Sequence, residues 1–408
     1  MRRSRITAAL AATALAAGLL SAGPTASAGH AAISIQVGAQ LGGRSLPAES
    51  MRFAGPDTIT VHTGDRITFE FRGFHTATML PAGAGADDWL ADNASTTGPF
   101  GFAATDPDDG ANEFKDNFPA VVTPSQQDCG GEGQNPCNYT GDAVLNSGAP
   151  FELPGSFTAT VNAQPGTTFW VVCLIHHNMR KRIRVVEDPA SATPQSAIDD
   201  VRRHQLARDL DWAQATHAKY SDRRTSHETA GGGRVWDAWA GVDSRFVSLL
   251  AFYPKKLSIN RGDSVRWRFD SLVSEDHTVS MPDPQIFFRL QFDEAMCDPD
   301  GDQGAGPDTP AESDAETGEP ICPEGSTLEF DVSHQFWGGT GNGTLSGPND
   351  VEHSGIRGSQ AEDLTPPAAG IDSFQVKFGA RSGNKPFKYF CFLHPMQGRI
   401  TVNEEGVR

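Results

Sequence analysis

Two stretches decide the fold: Phe169-Trp170-Val171-Val172-Cys173-Leu174-Ile175-His176-His177-Asn178-Met179 in the first half of the chain, and Lys388-Tyr389-Phe390-Cys391-Phe392-Leu393-His394-Pro395-Met396 in the second. Each runs through β-branched and aromatic residues, which suit a strand, into a cysteine, a histidine three positions on and a methionine just beyond. The signals upstream are also paired. Ile59-Thr60-Val61 leads through Gly64-Asp65 to Ile67-Thr68-Phe69-Glu70-Phe71 and then His75-Thr76. Leu257-Ser258-Ile259 leads through Gly262-Asp263 to Val265-Arg266-Trp267-Arg268-Phe269 and then His277-Thr278-Val279. Alternation with a period of two, broken by Gly-Asp, predicts a strand, a tight turn and a strand. The chain is an internal repeat of one β unit, and its 408 residues are more than a single core usually serves.

The first domain is expected over 29–188 and the second over 234–408. A linker over 189–233 separates them. Within it Ile198, Val201, Leu206, Leu210 and Ala213 recur at helical spacing after Pro194, which predicts an amphipathic helix whose His204 and His217 are solvated. Each domain holds a long insertion, since 98 positions separate His75 from Cys173 and 114 separate His277 from Cys391. With 43 Gly and 27 Pro and one helical stretch, the expected class is all-β, with long loops.

Residues 1–28 read as a secretory signal peptide: Arg2, Arg3 and Arg5, an apolar run from Ile6 to Leu20, and a small-residue cleavage pattern at Ala26-Ser27-Ala28. The mature chain is expected to be secreted, and no later stretch has the roughly 18 apolar residues needed to span a bilayer. Loss of three arginines takes the formal charge from −18 to −21. That balance argues against nucleic acid or anionic lipid and favours a basic docking partner. Cys129 with Cys137 and Cys297 with Cys322 are close in sequence, and in an oxidising compartment they are expected to form disulfides. Cys173 and Cys391 are left over.

A cysteine, two histidines and a longer-range methionine suit copper in a trigonal type 1 site, because thiolate and thioether favour Cu(I) and imidazole tolerates both oxidation states. The expected sets are His75, Cys173, His176 and Met179, and His277, Cys391, His394 and Met396. In the second loop Met396 follows His394 by two positions, so counting forward without a gap places Gln397 where Met179 stands; Gln397 is the alternative axial ligand.

With these motifs the chain resembles the plastocyanin and azurin family of blue copper proteins, the cupredoxins, and within it bacterial members with a Cys-x2-His-x2-Met loop. The resemblance covers about half of the chain and implies two Greek-key β-sandwiches, one type 1 copper in each, and one-electron transfer with a redox partner protein. Copper buffering without a redox partner is the alternative. Two-domain oxidases and nitrite reductases of the same family add His-x-His pairs and a histidine directly before the copper cysteine. Here Val172 and Phe390 stand there and no His-x-His occurs, so no catalytic activity is expected.

The remaining features are weaker. Asp298-Pro299-Asp300-Gly301-Asp302 resembles the start of a calcium loop without its downstream glutamate. Residues 290–356 hold fifteen Asp or Glu and no Lys or Arg, which reads as a solvated acidic face. Arg180, Lys181, Arg182 and Arg184 form a basic cluster beside the first copper loop. With that cluster near site one and an acidic domain around site two, site one is expected to have the higher reduction potential.

Overall fold

A computed structural model describes residues 30–92, 121–269, 275–285, 343–357 and 373–404, apart from 151, 177 and 356, with short strand pieces at 101–102, 114–115, 295–298 and between 309 and 330. The expected leader at 1–28, His177, Asp300 and Asp302, and most of the acidic stretch lie outside the described residues.

The protein is all-β, and the repeat seen in the sequence is a repeat of topology. In the first half one sheet runs, in order, through Ala48–Phe53, Ala32–Leu41, Arg66–Phe71, Gly155–Val161 and Cys137–Tyr139. The facing sheet runs through Thr58–His62, Arg180–Val186, Thr168–Val172, Thr78–Met79 and Leu145–Asn146. The second half matches it strand for strand: Val247–Tyr253, Arg234–Asp243, Ser264–Arg268, Ser373–Phe378 and Thr344–Leu345 face Lys256–Asn260, Gln397–Asn403, Phe387–Phe390, Ser280–Met281 and Glu352–His353.

Alternate residues of a strand share a face, so the alternation seen in the sequence becomes the core. Ile67, Phe69 and Phe71 pack with Phe157, Phe169 and Ile183 in one half; Val265, Trp267 and Phe269 pack with Phe374, Phe378 and Ile400 in the other. The Gly-Asp turns also gain a physical reason. Gly64 and Gly262 both sit at φ 93°, where a side chain is strained. The Asp65 carboxylate accepts the Ala31 and His62 backbone N–H groups at 2.7 Å each. Asp263 accepts those of Arg234 and Asn260 at 2.9 and 3.1 Å. Both disulfides form, Cys129–Cys137 and Cys297–Cys322, leaving Cys173 and Cys391 as buried thiols.

The two halves are less separate than the sequence suggests. Ala48–Phe53 pairs antiparallel with Val247–Tyr253, joining one sheet from each half into an 11-stranded sheet. Ser50 pairs with Val247, Glu49 with Ser248 and Ala48 with Leu249. Ser50 and Leu249 hold equivalent registers, opposite Ala39 and Val242, each next to a bulge. The seam therefore reads alike from both sides, as a two-fold interface does, with Glu49 facing Ser248 at its centre.

The helix Gln195–Ser221 lies across this seam. Its Ala213 is buried with Ala48, Leu249 and Tyr253, and Leu206 and Leu210 pack against them. The expectation of solvated helix histidines fails for His217, whose Nδ1 lies 2.8 Å from the Tyr253 hydroxyl, because that face of the helix covers the second domain. Thr225–Glu228, placed in the linker by sequence, already pairs with Arg234–Asp243 as a strand of the second half.

Asp209 fixes the helix to the seam: it accepts from Arg52 Nε at 2.7 Å, Arg52 Nη2 at 2.8 Å and Ser50 Oγ at 2.6 Å while itself buried. Breaking such a pair strands a buried charge, so Asp209→Ala should lower stability by about 3 kcal/mol. Urea unfolding of the metal-free protein measures it, and a loss below about 0.5 kcal/mol, the size of an ordinary surface change, would contradict it.

Candidate metal centres

The Arg66–Phe71 strand ends just before His75, which the fold sets against the loop that follows Thr168–Val172. In that loop Cys173 N–H donates to Met179 O at 3.0 Å and Met179 N–H to His176 O at 2.8 Å, so cysteine, histidine and methionine sit on one tight turn. His75 Nδ1 lies 2.9 Å from His176 Nδ1, and Cys173 Sγ lies 3.6 Å from His176 Nδ1. The Thr76 backbone N–H donates to Cys173 Sγ at 3.4 Å, and Leu174 N–H donates to Thr76 Oγ1 at 2.8 Å. His75, Cys173, His176 and Met179 are all buried.

The second half repeats this arrangement. Thr278 N–H donates to Cys391 Sγ at 3.3 Å, Cys391 Sγ lies 3.7 Å from His394 Nδ1, and Phe392 N–H donates to Thr278 Oγ1 at 2.7 Å. Cys391 N–H donates to Met396 O at 3.0 Å, the bond that Met179 makes in the first loop. Met396 is buried and Gln397 is exposed at the start of the last strand. The shorter loop thus brings Met396, and not Gln397, to the inward position.

Both clusters have the character of metal sites. The ligand atoms of His75, Cys173 and His176 lie within 4.8 Å of one another, as do those of His277, Cys391 and His394. His75 and His176 each turn Nε2 to a carboxylate oxygen, so in the neutral rings the two Nδ1 atoms 2.9 Å apart are both lone pairs, which a cation satisfies together. Neither ring nitrogen of buried His277 has a hydrogen-bonding partner among the described residues, although buried polar atoms are almost always paired. Burial pushes both thiols up, but the imidazoles of each cluster outweigh it and hold Cys173 and Cys391 well below the usual thiol range. Thiolate is the metal-binding form, and thiolate, two imidazoles and a thioether are the donors that copper accepts.

Sequence reasoning missed the residues behind these ligands. Glu49 Oε1 lies 2.8 Å from His75 Nε2, while Gln40 Nε2 donates to Glu49 Oε2 at 2.6 Å. The equivalent Ser248 is too short to reach His277 and donates to Asp243 Oδ1 at 2.6 Å. Glu275 is buried, with Oε1 3.0 Å from His176 Nε2 and Oε2 2.9 Å from His394 Nε2, one imidazole from each half. Burial disfavours its charge, but the two imidazoles hold it well below the usual carboxylate range. One sequence signal pointed to it. Eight positions separate Phe269 from His277 where four separate Phe71 from His75, and Glu275 lies in that lengthened link.

Gly38 and Gly241, at the two bulges, were also missed. Their φ values are 69° and 76°, and a Cβ would meet Nε2 of His75 at 2.3 Å and of His277 at 2.2 Å. Gly241→Ala should therefore displace His277 and weaken copper at site two by about tenfold or more, the scale of a lost supporting contact, while site one keeps its metal. Copper titration with the two sites counted separately tests this; equal affinities would refute it.

The basic cluster differs from expectation. Lys181 is buried, donates to Gly55 O at 3.0 Å and Pro56 O at 2.7 Å, and is pushed down to about 8, chiefly by burial. Arg180 pairs with Asp87. In a third group His30 is exposed, His62 half-buried and Asp65 buried, and both Asp65 oxygens already accept backbone N–H groups.

No family model matches the chain, and neither does any curated protein. Among solved structures, a dithionite-reduced auracyanin from Roseiflexus castenholzii aligns at 16% identity over 38% of this chain and 96% of its own, with a TM-score of 0.21. A copper-containing nitrite reductase from Thermus scotoductus aligns at 13% over 92% of this chain and 68% of its own, with a TM-score of 0.18. A blue copper oxidase from Nitrosomonas europaea aligns at 12% over 92% and 86%, also with a TM-score of 0.18. Overlap this small leaves the function to the chain's own residues.

Proposed function

We propose that this is a secreted cupredoxin-type electron carrier that holds one type 1 copper in each half. The observation that carries the reading is the duplicated cluster: two thiols, each with two imidazoles and a buried methionine, in matching positions of matching scaffolds. Bound copper supplies a one-electron couple. The protein's part is to hold the donors still: His75 and His277 come from the segments that lead into the Thr78–Met79 and Ser280–Met281 strands, the other donors of each cluster from one tight loop. A backbone N–H, from Thr76 or Thr278, donates to each sulfur. Burial keeps water from the sulfurs, so the donor set changes little when an electron arrives.

Electron transfer, rather than oxidase or reductase chemistry, fits a chain with no His-x-His pair and with Val172 and Phe390 before the two cysteines. The partner would be a redox protein, and the acidic charge favours a basic docking face. The test is copper loading followed by visible spectroscopy and metal counting. Two coppers per chain and an intense blue absorption that bleaches on reduction are expected. A colourless copper complex would overturn the assignment.

A further inference from the structure

Each half turns its loop histidine toward the other half, and one residue meets both. His176 Nδ1 and His394 Nδ1 face their cysteine sulfurs, so copper held in these clusters leaves the proton of each imidazole on Nε2. Both Nε2 groups are then donors, and both point at Glu275, whose two oxygens accept one each at 3.0 and 2.9 Å. The carboxylate is 4% exposed, against 9% for His176 and 18% for His394, so little water intrudes on the contact. The first half has Gly73 and Phe74 before His75 and offers no counterpart, and the single carboxylate serves both clusters.

We infer that Glu275 is an electron-transfer bridge that couples the two metal centres across the seam, making them one two-centre unit. This rests on the copper reading above. In a half-reduced molecule one electron leaves the Cu(I) centre and arrives at the Cu(II) centre, which exchanges their oxidation states. No other reactant is consumed. No proton need move, because both Nε2–H groups remain donors in either state. Tunnelling falls off less steeply through bonded and hydrogen-bonded atoms than across a gap, and the path from imidazole to carboxylate to imidazole contains only two hydrogen bonds. A residue whose role was only to glue the halves would not need both oxygens on ligand rings.

The experiment compares the copper-loaded full chain with Glu275→Gln and Glu275→Asp. Gln keeps the size but loses the charge and turns an N–H toward one of the two imidazoles; Asp keeps the charge but is too short to reach both. Exchange between the centres is followed after pulsed reduction by about one electron per chain. Magnetic dipolar coupling between the Cu(II) ions reports their separation independently. The expected result is that both variants stay blue with unchanged separation while exchange slows by about tenfold or more, the scale of a lost ligand-supporting contact. In Glu275→Gln both midpoint potentials should rise together, because the lost charge serves both rings.

Unchanged exchange in both variants, or a rise confined to one potential, would overturn the bridge while leaving the copper assignment intact. If Gln alters the separation, the Asp variant decides, by slow exchange for the bridge or wild-type exchange against it. A wild-type chain that never turns blue defeats the copper reading and the bridge together.

Discussion

Replacing Cys173 by Ser should leave one blue copper per chain, replacing Cys391 should leave the other, and replacing both should leave none. The blue colour belongs to a thiolate-to-copper transition, and a serine hydroxyl is neither soft nor ionised at neutral pH. Each sulfur is the only thiol in its cluster and accepts a backbone N–H, at 3.4 Å from Thr76 or 3.3 Å from Thr278. Serine leaves those contacts nearly in place, so the fold should survive and only the chemistry should go. The measurement is absorbance per bound copper in the three variants. A double variant that remained blue would sink the assignment.

The second large effect is on potential. Glu49 places a carboxylate on the far nitrogen of His75, and Ser248 offers His277 nothing comparable. A negative charge there favours Cu(II) and lowers the potential of site one. At an effective dielectric of about 20 a unit charge roughly 6 Å away is worth about 3 kcal/mol, which is on the order of 100 mV for one electron. Glu275 acts on both sites and cancels in the comparison. The surface charges that suggested a higher potential for site one are screened by water and salt, and Lys181 is turned onto backbone carbonyls. The expected order is therefore reversed, with site one below site two. Glu49→Gln, made with Cys391→Ser so that only site one holds copper, should raise the midpoint by about 100 mV. A shift under about 20 mV, too small for a charge in contact with a ligand ring, would show that Glu49 does not act on the copper.

Much of the fold and the make-up of both Cys-His-Met clusters were legible in the sequence because their causes are local. Alternation in Ile67 to Phe71 and Val265 to Phe269 fixes which side chains turn inward, whatever packs on them. The Gly-Asp turns carry their own hydrogen bonds, and Cys173 to Met179 and Cys391 to Met396 each lie on one loop. Repetition supplied the rest, since each half vouched for the other. The linker helix was legible in its period but not in its role. Which face is covered depends on a seam formed by strands far apart in the chain.

By itself the sequence determined two β units, two disulfides and which cysteines remain as thiols. Only the tertiary structure decided that Met396 points inward rather than Gln397, that Gly38 and Gly241 make room for the ligand imidazoles, and that Glu49 backs one site alone. It also decided that Glu275 joins the two. Loop length set the first of these, and the other three share one physical reason. A carboxylate or a glycine carries no periodic signal, and its effect comes from which distant ring the fold brings within about 3 Å of it, the reach of a hydrogen bond.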